Sequence, residues 1–188
     1  MQLLYLLLSS LLILPTLGNP IVPRSNTITA PKSETWHISA FTAHFMGDSS
    51  GLPGGAWPPN SAFNTTLSFT LKFPDNTTSS CAATFQEPGT PAAYTVCERR
   101  ADGSVVELKV KKAHAAKTKW ALYNFELSVV KEGGVRAPMK GKRHISSNNA
   151  ATDEDSYLTC LTYAPLTGVQ CQLGGVVGKS GPIEVVAV

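Results

Sequence analysis

The stretch FNTTLSFTLKF, residues 63–73, alternates apolar and polar side chains over its whole length. Such an alternation places every apolar side chain on one face of a β-strand. The same period recurs at 106–110 and 121–129. Shorter strands are predicted at 35–45, 81–85, 94–98, 157–163, 169–173 and 183–186. Closely spaced strands separated by Gly and Pro turns predict an all-β fold, an antiparallel β-barrel or sandwich.

Two long polar connections interrupt this pattern. Residues 46–60 are rich in Gly and Pro, and residues 131–156 combine basic, Asn/Ser and acidic blocks. Loops of such length in a compact domain are typically functional or disordered. The second connection is predicted to contain one more strand near 143–147, and only 111–119 has a helical pattern.

The N-terminal segment has the composition of a secretory leader. Residues 2–18 are almost wholly apolar, and the first charged side chain is Arg24. Thr16 and Gly18 match the small residues of a signal-peptidase site, which predicts cleavage before Asn19; an uncleaved signal anchor is the alternative. We therefore expect a signal peptide at 1–18, a flexible lead-in at 19–34 and a single β-barrel domain at 35–188. The mature chain is expected to be secreted and extracellular, without a membrane span.

The cysteines fit this compartment. The chain has four, Cys81, Cys97, Cys160 and Cys171, and an even number in a secreted protein indicates disulfides. The sequence leaves the connectivity open, but each near pair flanks a predicted hairpin, so we expect the local disulfides Cys81–Cys97 and Cys160–Cys171. Zinc sites have ligands two to four residues apart, and no such spacing occurs here, so we expect no metal.

Two glycosylation sequons lie within or next to the predicted strand at 63–73. Asn64-Thr65-Thr66 and Asn76-Thr77-Thr78 both match the acceptor pattern, which makes Asn64 and Asn76 candidate glycosylation sites in a secretory protein.

A short motif opens the predicted domain. Trp36-His37-Ile38-Ser39-Ala40-Phe41 is similar to the Trp-x-Ile-Ser-x-Phe segment of the Alternaria alternata allergen 1-like family of fungal secreted proteins. The Phe-rich strand, the two cysteine pairs and the short C-terminal strand follow in the order of that family, so the chain resembles it over about residues 35–187.

The resemblance implies a β-barrel with both disulfides local. It also implies a secreted fungal allergen, elicitor or effector that meets plants or the immune system. Covalent dimers of that family use an additional cysteine near the mature N-terminus, and none lies between Asn19 and Ser80. We therefore expect a monomer or a non-covalent dimer.

The motifs that resemble catalytic sites lack their partners. Gly47-Asp48-Ser49-Ser50-Gly51 is similar to the serine loops of trypsin-like proteases and of Gly-Asp-Ser lipases. The protease needs its His and Asp upstream, where the mature chain is too short. The lipase needs a His near the C-terminus of an α/β fold, whereas the last histidine is His144. We expect no enzyme and no cofactor.

The remaining titratable residues give no constellation. His37 and His44 are seven residues apart, which predicts opposite faces of a regular strand and no shared metal. His144 is predicted to lie on the surface, and Asp153-Glu154-Asp155 in a solvated loop.

Charge is concentrated in one part of the chain. Between Lys109 and Arg143 there are ten basic and two acidic residues, a local net charge of +8 against +3 for the whole chain. The pattern predicts either the outer face of a hairpin or a basic surface that attracts acidic host proteins, anionic lipid or anionic polysaccharide. Nucleic acid is not an expected partner. The candidate basic binding residues are Lys109, Lys111, Lys112, Lys140, Lys142 and Arg143.

These observations favour a non-enzymatic secreted effector, elicitor or allergen-like protein that binds a host extracellular target through loops and the basic surface. One alternative is an extracellular carrier of a small ligand at the mouth of the barrel. A hydrolase with a non-standard site is the less favoured alternative.

Overall fold

The described part of the chain folds entirely into strands, turns and loops. The computed structural model describes residues 33–87, 89–113, 124–134 and 137–188, and these contain no helix. The strands are β1 (Glu34–Phe45), β2 (Thr65–Lys72), β3 (Thr78–Phe85), β4 (Thr95–Val96), β5 (Val105–Lys112), β6 (Phe125–Glu132), β7 (Met139–Ser147), β8 (Ser156–Leu161), β9 (Val169–Leu173) and β10 (Ile183–Ala187). The all-β prediction is confirmed.

Several predicted segments fall outside these residues. The signal peptide at 1–18 and residues 19–32 of the lead-in lie there, and Glu34, which was assigned to the lead-in, is the first residue of β1. The helical prediction at 111–119 is wrong for its first two residues, which end β5, and residues 114–119 are not described. No helix in the described ranges is both long and apolar enough to cross a bilayer.

The strands form one mixed sheet that closes on itself. Their order is β3-β2-β1-β9-β8-β7-β6-β5-β4, and β10 pairs with both β1 and β7. A hydrogen-bonded ring therefore runs β1–β9–β8–β7–β10. The described pairings are antiparallel except that of β7 with β8, which is parallel at Ser146–Ser156 and Ser147–Leu158.

Glycine permits the closure of this ring. Gly141 of β7 pairs with Ala187 of β10. A Cβ at position 141 would lie 2.4 Å from Val185 Cγ1, so no larger residue fits where the two strands meet.

A β-bulge divides β1 into two halves. Its register with β2 shifts between Ser39 and Thr42, and Ala40 has a φ of 51°. The half before the bulge pairs with β10 and the half after it pairs with β9. Because a bulge inserts one unpaired residue, both halves direct their large apolar side chains, among them Trp36 and Phe41, into the core.

The bulge overturns the prediction for the two histidines of β1. An extra residue between them changes the alternation, so His37 and His44 share the outer face instead of lying on opposite faces. Their partners in β2, Lys72 and Thr66, are separated by an even number of residues and also share that face.

Aromatic side chains fill the interior. Phe41 stacks between Phe69 and Phe125, with ring centroids 5.8 and 6.1 Å apart, and Trp36 meets Phe73 edge to face at 5.5 Å. Each of these side chains is at most 3% exposed. Their burial contributes to the hydrophobic stabilisation of the sheet, together with the aliphatic side chains of the same core.

Both predicted disulfides are present. Cys160 and Cys171 are directly paired residues of β8 and β9, so their disulfide crosses a hairpin. Cys81 lies in β3, and Cys97 follows β4. Since β3 and β4 are the two ends of the strand order, Cys81–Cys97 joins the outermost strands of the sheet rather than one hairpin.

Candidate functional site

The predicted basic residues do not all share one surface. Strands β5, β6 and β7 lie side by side, and their registers align Lys109 with Ser128 and Lys142, and Lys111 with Glu126. Lys140 lies two residues before Lys142 on the same side of β7. We call Lys109, Lys111, Lys140 and Lys142, which share this outer side, the lysine face.

An aromatic ring lies beside the lysine face. The ammonium groups of Lys109 and Lys140 are 5.6 and 5.8 Å from the centroid of the Tyr94 ring. Lys109 Nζ also donates a hydrogen bond to the carbonyl of Ala92 at 2.9 Å. These contacts place two cations near one half-buried aromatic ring.

The lysine face is less charged than the sequence predicts. Glu107 and Glu126 share it, and Lys142 Nζ lies 3.2 Å from Glu126 Oε1 with both side chains exposed. Lys131 instead lies 5.2 Å from the centroid of Phe73. Lys117, Lys119 and Arg136, which contribute to the sequence count, are outside the described residues. A modest excess of positive charge remains.

Two of the six predicted basic residues belong elsewhere. Lys112 pairs with buried Phe125 at the end of β5, on the opposite side from Lys111. Arg143 alternates with Lys142; its guanidinium lies 2.8 Å from Asp155 Oδ1 and donates to the Tyr157 hydroxyl. Arg143 is therefore engaged in an ion pair within the fold.

A polar cluster surrounds His144. Its Nδ1 is 2.9 Å from Asp155 Oδ2, and its Nε2 contacts Asn124 Oδ1. Asp153 accepts hydrogen bonds from the Ser146 hydroxyl and from the backbone of Asp155. The acidic block lies in a loop, as predicted, and Glu154 is exposed, but Asp153 and Asp155 are partly buried and tie the β7–β8 connection to β7.

The His144 cluster has the acid–base pair of a hydrolase but not its nucleophile. Both ring nitrogens face oxygen atoms of Asp155 and Asn124, and within the described residues no hydroxyl or thiol hydrogen-bonds to the imidazole. A catalytic histidine must be able to reach the proton of the nucleophile. The described contacts of the imidazole link β7 to the β7–β8 connection through Asp155 and to Asn124 just before β6.

The Gly-Asp-Ser segment lies in an irregular loop that leads into a turn at Pro53 and Gly54. Ser49 Oγ accepts a hydrogen bond from Gly51 N–H at 3.3 Å, and Ser50 Oγ accepts one from Leu52 N–H at 3.2 Å. The start of this loop is fixed by Glu87, which accepts hydrogen bonds from the backbone of Met46 and Gly47. Hydroxyl groups used in this way stabilise turns.

Both candidate glycosylation sites are accessible. Asn64 is exposed immediately before β2, and Asn76 is exposed in the β2–β3 turn with a φ of 63°. Glycosylation at either residue stays a prediction.

A second surface was not predicted. On the side of the sheet formed by β3, β2, β1, β9 and β8, the registers align outward side chains in two continuous rows. One row is Ala82, Ser68, Thr42, Gln172 and Thr159. The other is Thr84, Thr66, His44, Gln170 and Leu161.

These rows line a cavity of about 410 Å³, which we call the polar groove. No Asp, Glu, Lys or Arg lines it, and Tyr163 lies at its rim with 69% of its surface exposed. The hydroxyl groups of Thr42 and Ser68 are 3.0 Å apart across the floor. At one end, His44 stacks on Phe63 at 4.6 Å, and its Nε2 lies 2.6 Å from the carbonyl oxygen of Thr167.

The sequence contains a weak signal for this groove. Gln170 and Gln172 alternate with buried residues, as do Thr66 and Ser68, so each strand can be recognised as half polar. The alignment of these positions depends on pairings between strands that are distant in sequence.

Comparison with known proteins assigns no function to these surfaces. No family model, curated protein or solved structure matches the chain. Within the described residues, no group of three or more His, Cys, Asp or Glu side chains could hold a metal ion.

Proposed function

We propose that the protein is a secreted, non-catalytic binding protein of the fungal effector, elicitor or allergen type, and that its lysine face binds an acidic extracellular target. The observation that carries this proposal is the placement of Lys109 and Lys140 around Tyr94 on a paired, disulfide-linked sheet. The target is an acidic host protein or an anionic surface polymer.

The physical basis is a rigid, moderately cationic surface with an aromatic centre. Strands β5, β6 and β7 are fully paired with one another, so little ordering is needed on binding. Exposed lysines accelerate encounter with an acidic partner. Tyr94 adds contact area beside them, and tyrosine is enriched at binding surfaces.

The alternatives have less support. A carrier needs space inside the barrel, and the interior near β1 is filled by Phe41, Phe45 and Phe125. A hydrolase needs a nucleophile next to His144, and the described contacts of that ring are to Asp155 and Asn124.

Binding to immobilised polygalacturonate, an anionic polysaccharide, tests the proposal. Wild-type protein should bind in low salt and lose affinity as salt rises, because screening weakens exposed charges. The variant Lys109→Gln/Lys140→Gln should bind roughly tenfold more weakly, since each lost contact is worth about 0.5–1 kcal/mol. A methyl-esterified form of the polymer, which lacks the charge, should bind neither protein.

The matched control is Lys72→Gln/Arg99→Gln, which removes two exposed positive charges outside the lysine face. It should bind nearly as well as wild type. Capture from host extracellular fluid by the same proteins, followed by mass spectrometry, covers a protein target. Equal polygalacturonate binding and equal capture by the lysine-face variant and its control would refute the proposal.

A further inference from the structure

The polar groove has the chemistry of a site for a neutral, hydroxyl-rich ligand. Its side chains are mainly hydroxyl and amide groups with one imidazole, and no ionic side chain lines it. Hydroxyl and amide groups both donate and accept hydrogen bonds, as sugar hydroxyls do. An ionic ligand would meet no side chain of opposite charge in the groove, so its lining favours an uncharged ligand.

The groove also offers unused hydrogen-bonding capacity. The side chains of Gln170, Gln172 and Thr66 are exposed and have no hydrogen bond with another described residue. Gln170 and Gln172 lie side by side on β9, one in each row. A ligand that follows either row therefore meets a free carboxamide on β9, next to the central strand β1.

The rim supplies an apolar contact. Tyr163 is 69% exposed and Leu161 is 48% exposed, and both line the groove. A pyranose ring has a C–H face that packs on an aromatic ring while its equatorial hydroxyls remain free to bond. Exposed aromatics next to polar side chains thus suit a sugar better than a fully apolar ligand.

The floor is rigid and elongated. The Cys160–Cys171 disulfide joins β8 and β9 beneath it, so a ligand need not order these strands. Adjacent strands are about 4.8 Å apart, close to the length that one pyranose unit adds to an extended oligosaccharide. Five strands therefore present a row about 19 Å long, which fits a short oligosaccharide rather than a single sugar.

Other occupants fit less well. A peptide that adds as a strand needs a free edge, but β2, β1, β9 and β8 are each paired on both sides. The outer edge of the end strand β3 is joined to the segment after β4 by the Cys81–Cys97 disulfide and the hydrogen bond from Glu98 N–H to the Ser80 carbonyl. An anionic polymer would find no cation in this groove and has the lysine face instead.

We infer that the polar groove formed by β3, β2, β1, β9 and β8 binds a neutral oligosaccharide of pyranose units, with Gln170 and Gln172 as hydrogen-bonding residues and Tyr163 as the stacking residue. This site is separate from the lysine face and does not depend on the function proposed for that face.

Isothermal titration calorimetry of the enzymatically deglycosylated full-length mature protein with cellohexaose, laminarihexaose and chitohexaose tests the inference. At least one should bind, and Gln170→Ala/Gln172→Ala should weaken that binding by about tenfold, the loss expected for two neutral hydrogen bonds. Tyr163→Ala should weaken it several-fold. Gln86→Ala, an exposed glutamine outside the groove, should leave binding unchanged.

The variants are exposed substitutions, and thermal unfolding checks that each is folded. Polygalacturonate binding should be the same for the groove variants and wild type, which separates this site from the lysine face. Absence of binding by all three hexasaccharides, or binding that is unchanged in both groove variants, would overturn the inference.

Discussion

Cys81 and Cys97 are bonded across the two ends of the strand order, one in β3 and the other directly after β4. Two hydrogen bonds lie beside the disulfide: Glu98 N–H donates to the Ser80 carbonyl at 2.8 Å, and the Ser79 hydroxyl donates to the Glu98 carbonyl at 2.8 Å. We call this junction between β3 and the segment after β4 the seam; β4 comprises only Thr95–Val96, and the described strand pairings include none between β3 and β4. The disulfide therefore protects the edges of the sheet, which would otherwise offer unpaired backbone groups.

Removal of this disulfide should open the seam. The double variant Cys81→Ser/Cys97→Ser should lose about 3 kcal/mol of unfolding free energy, the value expected for a loop of this length. Cys160→Ser/Cys171→Ser should lose a similar amount, because its loop is only slightly shorter. Urea denaturation measures both losses.

Hydrogen exchange distinguishes the two disulfides. The backbone amides of β3 and β4 should exchange faster in Cys81→Ser/Cys97→Ser than in wild type. In Cys160→Ser/Cys171→Ser, the amides of β8 and β9 should exchange about as slowly as in wild type, because the hydrogen bonds between these two strands remain. Unchanged exchange in β3 and β4 would show that the disulfide is not what holds the seam.

Acid should weaken the β2–β3 turn through Asp75. The Thr77 hydroxyl hydrogen bond, helped by the Thr77 backbone and by Arg100 at 3.0 Å, lowers the pKa of Asp75 from 3.8 to about 2. A carboxyl with a lowered pKa in the folded state stabilises the fold above its unfolded pKa. That contribution is complete above about pH 5 and is lost as the pH falls through 4 toward 2.

The variant Asp75→Asn should therefore be less stable than wild type at pH 7 and should lose less stability between pH 5 and pH 2. The effect should stay below about 1 kcal/mol, because the Asp75 side chain is 55% exposed and solvent screens the charge. Urea denaturation across this pH range measures it. Asp48→Asn, in the exposed 46–60 loop, is the control, and an Asp75→Asn curve parallel to wild type would contradict the assignment.

Periodicity was sufficient to predict the strands that bury one face. Residues 63–73 and 106–110 alternate without interruption, and β2 and β5 occupy them. The predicted extra strand near 143–147 is the second half of β7. Pairing could not be predicted in the same way. β10 pairs with β1 and β7, which are distant from it in sequence, and alternation does not specify that the consecutive strands β7 and β8 pair in parallel.

For the candidate sites too, the alternation of side chains along a strand could be predicted, whereas contacts between different elements could not. Four of the predicted basic residues share a face because they alternate along β5 and β7, and β6 between these strands aligns them. Arg143 does not, since its partners Asp155 and Tyr157 are contributed by the β7–β8 connection and β8. The polar groove required the register of five strands. The position of His44 in the groove depends on the bulge at Ala40, which could not be predicted because the sequence has no Gly or Pro there.

The bulge at Ala40 gives the last prediction. An L-residue at a φ of 51° is strained by its Cβ, so Ala40→Gly should raise the unfolding free energy by up to about 1 kcal/mol after the entropic cost of glycine. Asn60→Gly, at a φ of 63°, should gain less, because asparagine tolerates this conformation. Deletion of Ala40 should instead prevent folding, since it would turn Trp36 and Ile38 out of the core. Urea denaturation followed by tryptophan fluorescence measures all three, and a deletion variant as stable as wild type would show that the bulge does not set the two faces of β1.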